Sequence, residues 1–126
     1  MEEANDNTVS KTVSSAAIVR YAAPEVIENN NVLATEESDT YSFAMLMLEC
    51  ITELPPFFYI IRDAAVIHRR IAKKQLPLRP DWKDGTFDEY WDLMNSCWSV
   101  EPGDRPRMAQ VHSSLLGFKN LSNNVQ

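Results

Sequence analysis

Glycine is scarce. Gly85, Gly103 and Gly117 are the three in 126 residues. A loop that wraps phosphate in backbone N–H groups needs several glycines close together, and this chain cannot build one. Cysteine is scarcer still. Cys50 and Cys97 are too few for a disulfide framework or a cysteine zinc cluster, and each falls in an apolar helical pattern that predicts a small buried hydrophobe. No apolar run reaches the roughly 18 residues that a membrane span needs. The opening MEEANDNTVSKTVSS has no apolar stretch of the kind a signal peptide carries. These absences predict a soluble cytoplasmic protein with no membrane contact. Positive charge is also short: 12 Lys and Arg against 18 Asp and Glu give a net charge of −6, and the cations are scattered. That excludes a nucleic-acid footprint. His68 suits a solvated helix face and His112 also lies in a helical pattern, and neither zinc spacing nor a nucleophile–base pair is apparent around them.

What is present is helix. An apolar fraction of 44% over 126 residues suits one globular domain. Residues 1–15 are polar and lack periodicity, which predicts a disordered tail. Residues 16–118 form the domain, and 119–126 a frayed end. Pro24 suits the first turn of a short helix, PEVIEN, which the Asn run at 29–31 ends. Ser38 or Asp39 caps the next helix. From Tyr41 to Leu54 that helix is apolar almost all round, so it is expected to be buried on every side until Pro55-Pro56 stops it. A third helix starts near Asp63, with Ala64, Ile67 and Ile71 as its inward stripe. QLPLRPDWKDGT is an irregular connection, and Asp84-Gly85 within it a turn. A fourth helix covers DEYWDLMNSCW. A fifth follows Asp104, with Pro106 in its first turn. Convincing period-2 strands are absent, so the predicted class is mainly α, with flanking helices around one buried central helix.

Five stretches, in this order, carry a family pattern: RYAAPE (20–25), SDTYSFAMLMLECIT (38–52), LPPF (54–57), CW (97–98) and PGDRPRM (102–108). With this spacing the chain resembles the C-terminal lobe of a eukaryotic protein kinase, and within it the tyrosine-kinase-like group. The resemblance covers about Ile18 to Phe118. It implies that Glu25 pairs with Arg105. Taken alone, these are two solvated charges, but a planar guanidinium does offer a two-pronged match to a carboxylate. It also implies that Val19, Arg20, Tyr21 and Ala22 are the remnant of a substrate-docking loop. Asp39, Tyr41, Ser42 and Phe43 would carry the family pattern of the central helix. Ala17 and Ile18 stand where the family has Gly-Thr, and Ala44 stands where it has Gly.

The family's catalytic signatures are missing. A Gly-rich loop, a strand lysine, H-R-D-x-x-x-x-N and D-F-G all precede A-P-E in the family's order. None occurs in the 24 residues before Glu25. His68-Arg69-Arg70 only begins like H-R-D, and it follows A-P-E. The expectation is therefore a chain with no catalytic, cofactor-binding or metal-binding residue, whose complete parent would use ATP and Mg²⁺ to phosphorylate Ser, Thr or Tyr hydroxyls, with Ser and Thr favoured. The alternative is an interaction module. Parts of the central helix that a whole kinase covers would lie exposed here, ready for a protein partner or a second copy.

Overall fold

The computed structural model describes residues 19–29 and 34–124. The expected tail 1–15, Ala17-Ile18, and Asn30 and Asn31 lie outside the described residues. Five α-helices follow one another: α1 (Pro24–Glu28), α2 (Glu36–Thr52), α3 (Asp63–Ala72), α4 (Asp88–Cys97) and α5 (Met108–Asn124), with a short 3-10 turn, Pro102–Asp104, before the last. Among the described residues there is no strand. The architecture is helical, as expected.

Helix α2 is the axis. Its residues Tyr41, Ala44, Met45 and Leu48 meet Leu93, Met94 and Cys97 of α4 and Val111 of α5 in one core. Val26 of α1 and Val66 of α3 close the other end, with Phe57 and Ile60 of the loop between α2 and α3. The α4 side is aromatic. The rings of Trp82, Trp91 and Trp98 meet edge to face at 6.0 and 5.6 Å, the offset geometry that ring quadrupoles favour.

The start of α2 differs from expectation. Thr35 is the cap: its hydroxyl accepts from the Ser38 N–H at 3.1 Å, while the Thr35 N–H donates to Ser38 Oγ at 2.8 Å. Ser38 is thus the return half of a capping box, and Asp39 sits in the first turn, where its charge suits the helix dipole. The helix also stops early. Glu53 takes a left-handed conformation (φ 61°), and the Thr52 hydroxyl accepts from the Leu54 N–H at 3.1 Å. The chain has turned before Pro55 is reached, because the residue before a proline disfavours helix.

Burial corrects three more expectations. Leu46 is 48% exposed and Cys50 is exposed, while Phe43, Met47 and Ile51 are half-buried. Positions 43, 46, 47 and 50 share one side of α2, where Phe43 and Met47 pack against the edge of the core while Leu46 and Cys50 lie open. On α3, Ala64 and Ile67 face outward, whereas Val66 and Arg70 are buried. Helix α5 begins at Met108 rather than soon after Asp104, because Arg105, preceding Pro106, is held extended (ψ 145°). Its backbone then stays helical to Asn124, past the expected limit at 118, since no proline or sharp turn signal follows Gly117.

Thr35→Ala removes one side of the capping box. It is expected to lower stability by about 1 kcal/mol in urea denaturation, with Thr35→Asn close to unchanged.

Candidate functional site

The segment Val19–Glu25 and the groups that hold it form the most elaborate polar construction in the molecule. Pro24 opens α1, which places Glu25 in the first turn. The extended backbone at Arg105 points its side chain inward, where it is fully buried. Arg105 Nη1 donates to Glu25 Oε2 at 2.8 Å and Nη2 to Oε1 at 2.9 Å. Nη1 also donates to the Glu37 carbonyl at 3.0 Å, Nε to the Ser99 carbonyl at 2.9 Å, and Nη2 to the Val100 carbonyl at 3.5 Å. Each of the five guanidinium N–H groups therefore has an acceptor. The structure brings Glu25 and Arg105 together, 80 residues apart in sequence.

Burial, the largest influence on the Glu25 carboxyl, pushes its pKa up. The Arg105 hydrogen bonds, its own backbone N–H and the positive charges of Arg105 and Arg70 outweigh that and hold it below the ordinary value of 4.5.

Tyr41 joins the latch from α2. The Arg105 guanidinium lies 4.9 Å from its ring centre and that of Arg70 5.3 Å. Tyr41 is buried, Ser42 and Phe43 are half-buried, and Asp39 is exposed.

A second set of contacts holds Val19–Ala22. Val19 and Ala22 are buried. Arg20 Nη1 donates to the carbonyls of Pro56 and Phe57 at 3.1 and 2.7 Å, and Nη2 to those of Ile60 and Ile61 at 2.7 and 3.4 Å. Its Nε reaches Asp63 Oδ1 at 3.1 Å. Tyr21 donates its hydroxyl to Glu49, and burial together with that carboxylate pushes the phenol up to about 12. Of the four residues expected to face a substrate, Tyr21 keeps a partly open side chain, while Arg20 is committed to the loop.

Arg70 stands where the H-R-D-like stretch would need its Asp. It is 1% exposed, and its Nη1 donates to the Val19 carbonyl at 2.7 Å. The Phe57 ring lies 5.5 Å from its guanidinium carbon. Its Nε and Nη2 have no hydrogen-bond partner among the described residues. A signal was available: Arg70 is four residues after Val66, so it shares the buried face of α3. His68 and His112 are exposed, and Asp84 accepts from the Thr86 N–H at 3.2 Å in the turn expected of Asp84-Gly85. Cys97 is buried, which pushes its thiol up to about 11. Among the described residues no group of three or more His, Cys, Asp and Glu is placed to hold a metal ion, and no helix is long and apolar enough to cross a membrane.

Removing either side of the latch strands the other charge. Glu25→Ala leaves a buried guanidinium and is expected to cost about 3–5 kcal/mol in urea denaturation. The pH dependence has a definite sign. Because the folded-state pKa of Glu25 is lowered, its contribution is complete above the ordinary carboxylate value and is lost as pH falls through the folded value. Glu25→Gln should therefore flatten the acid limb of the stability profile. An acid limb identical to that of the unaltered chain would contradict this.

A family model for protein tyrosine and serine/threonine kinases matches residues 1–115. A probable serine/threonine-protein kinase of Dictyostelium discoideum is 32% identical, over 90% of this chain and 8% of the relative. A putative serine/threonine-protein kinase/receptor of Acanthamoeba polyphaga mimivirus is 30% identical, over 85% of this chain and 7% of its own length. A receptor-type guanylate cyclase of Caenorhabditis elegans is 26% identical, over 83% of this chain and 10% of the relative. The chain thus spans a tenth or less of the length of these relatives. With the family model matching most of its residues, the chain belongs to the protein tyrosine and serine/threonine kinase family.

Proposed function

We propose that this chain is a C-lobe floor of a protein kinase domain, of the tyrosine-kinase-like group, that holds the segment ending in Ala23-Pro24-Glu25 and does not itself transfer phosphate. The observation that carries this reading is the fully engaged Glu25–Arg105 latch in a sequence with no Gly-rich loop, H-R-D or D-F-G. Phosphoryl transfer relies on positioned phosphates, Mg²⁺ and a carboxylate beside the attacking hydroxyl. The residues present do not fit that cofactor. A cleft of about 190 Å³ lies beside the latch, lined by Glu36 and Glu37 as well as Arg105 and Arg107, but the N–H groups of Arg105 are already used and Arg107 is paired with Glu36, so the lining carries no surplus of positive charge for a triphosphate. Arg70, in the H-R-D-like stretch, points into the core. ATP, Mg²⁺ and hydroxyl substrates, Ser and Thr before Tyr, belong on this reading to a complete parent domain. The free thiols of Cys50 and Cys97 suit a reducing compartment such as the cytoplasm. One relative bears the name of a cyclase, which is in keeping with a region that serves proteins of more than one activity.

In calorimetric titration of the 126-residue chain with Mg-ATP, no saturable heat is expected. Saturable binding would overturn the non-catalytic reading.

A second reading rests on the partly open side of α2. Leu46 is exposed, and Phe43 and Met47 are half-buried beside it. Each such side chain left in water forgoes up to about 1.5–3 kcal/mol of burial. This stripe favours a covering partner, either the rest of a kinase-type domain or a second copy. The chain is then expected to bind an apolar reporter dye, with Leu46→Ser reducing the signal. A monomer without dye affinity would set this reading aside.

A further inference from the structure

Two arginines are buried against the Tyr41 ring, and they are provided for very differently. Arg105 has an acceptor for each of its five N–H groups. Arg70 makes one hydrogen bond, from Nη1 to the Val19 carbonyl at 2.7 Å. Its Nε and Nη2 have no partner among the described residues. The Tyr41 and Phe57 rings, 5.3 and 5.5 Å from the guanidinium carbon, and the charge of Glu25 shared with Arg105 offset part of its desolvation. Buried donors left without acceptors still cost free energy.

Stability therefore does not explain an arginine at this position. Val66, fully buried, lies one turn before it on the same side of α3, and the rings beside it are apolar. A flexible apolar side chain such as methionine would fill the space with no donor left over, and such exchanges at buried charges are often neutral or stabilising. A local rule broken without full compensation points to a task elsewhere in the molecule. The one bond that Arg70 does make identifies the task, because its acceptor is the backbone of Val19, at the head of the segment that leads into Ala23-Pro24-Glu25. The other end of α3 holds the same segment. Asp63, in the first turn, accepts from Arg20 Nε at 3.1 Å. The length of helix from Asp63 to Arg70, about 10 Å, sets the spacing of the two holds.

We propose that Arg70 is a positioning residue, which fixes Val19–Ala22 against α3 and lowers the stability of the domain in doing so. Helix α3 is then a splint. Its first turn holds the Arg20 side chain and its last turn holds the Val19 backbone. With the second hold gone, Arg20 is tied only through its own side chain, to Asp63 and to the carbonyls of the loop before α3. These ties reach a half-exposed carboxylate and an irregular loop, so the segment can leave them together. That Val19–Ala22 is a docking segment rests on the function proposed above, whereas the hold itself requires neither nucleotide nor catalysis.

The test uses the full 126-residue chain with Arg70→Met and Arg70→Lys. Met fills the space without a donor, and Lys keeps a donor on a side chain long enough to reach the Val19 carbonyl. Urea denaturation reads stability. Trypsin cleavage after Arg20, identified by the mass of the fragments, reads the placement of the segment. Arg70→Met is expected to keep the folding constant or raise it, by up to about tenfold, and yet to speed cleavage after Arg20 at least about tenfold. A merely structural arginine would move the two readouts together, since a more stable chain is cut more slowly. Arg70→Lys should return cleavage close to that of the unaltered chain. A lower folding constant for Arg70→Met would overturn the proposal, as would cleavage after Arg20 that is unchanged or slower, or a Lys variant cut as fast as the Met variant. No nucleotide is added, so these outcomes stand apart from the Mg-ATP titration that tests the non-catalytic reading.

Discussion

A single guanidinium ties the ends of the domain together. Arg105 meets Glu25 at the start of α1, the Glu37 carbonyl in the first turn of α2, and the carbonyls of Ser99 and Val100 after α4. Its own position comes from a proline, because Pro106 keeps the Arg105 backbone extended. A fully buried cation is tolerated only when its charge and its donors are all answered, and here they are. Tyr41 adds a ring face to the site, which places the latch on the central helix itself. Because the partners lie 80 residues apart, the contact forms only when α1, α2 and the segment before α5 are all in place.

The same solution recurs at the other end of Val19–Ala22. The loop from Pro56 to Ile61 is too irregular to pair all its carbonyls within itself, and buried carbonyls must find donors. Arg20 supplies them from the neighbouring segment, and Arg70 returns the favour to the Val19 carbonyl. Apolar packing makes the core, but arginine-to-carbonyl bonds fix how the irregular segments lie upon it. Arg70 remains the unbalanced member. Two buried guanidiniums, those of Arg70 and Arg105, flank Tyr41, and one carboxylate, Glu25, answers them both.

Much of this was legible in the residues. Pro24, the apolar run of α2, the start of α4 near Asp88 and the pairing of Glu25 with Arg105 all follow from local rules or from the family pattern. The parts that were not legible share a cause. Hydrophobic periodicity shows which side of a helix is apolar, but not whether anything covers it. Hence Leu46 and Cys50 lie open on α2, and Ala64 and Ile67 face outward on α3. What decides the roll of α3 is Arg70, a charge that a hydrophobic count places on the surface. The cap of α2 lies three residues before Ser38 and four before Asp39, because Thr35 and Ser38 act reciprocally. Arg20 was legible as a loop residue but not as a strut, since its acceptors are backbone carbonyls that leave no mark in a sequence.

A double-mutant cycle between Glu25 and Arg105 measures the tie most directly. Glu25→Gln, Arg105→Met and the double variant, compared by urea denaturation, should give a coupling energy of about 2–3 kcal/mol, with the double variant more stable than the sum of the single losses implies. A coupling near zero would mean that the two charges do not act on one another, and that the domain is held by its apolar helices alone.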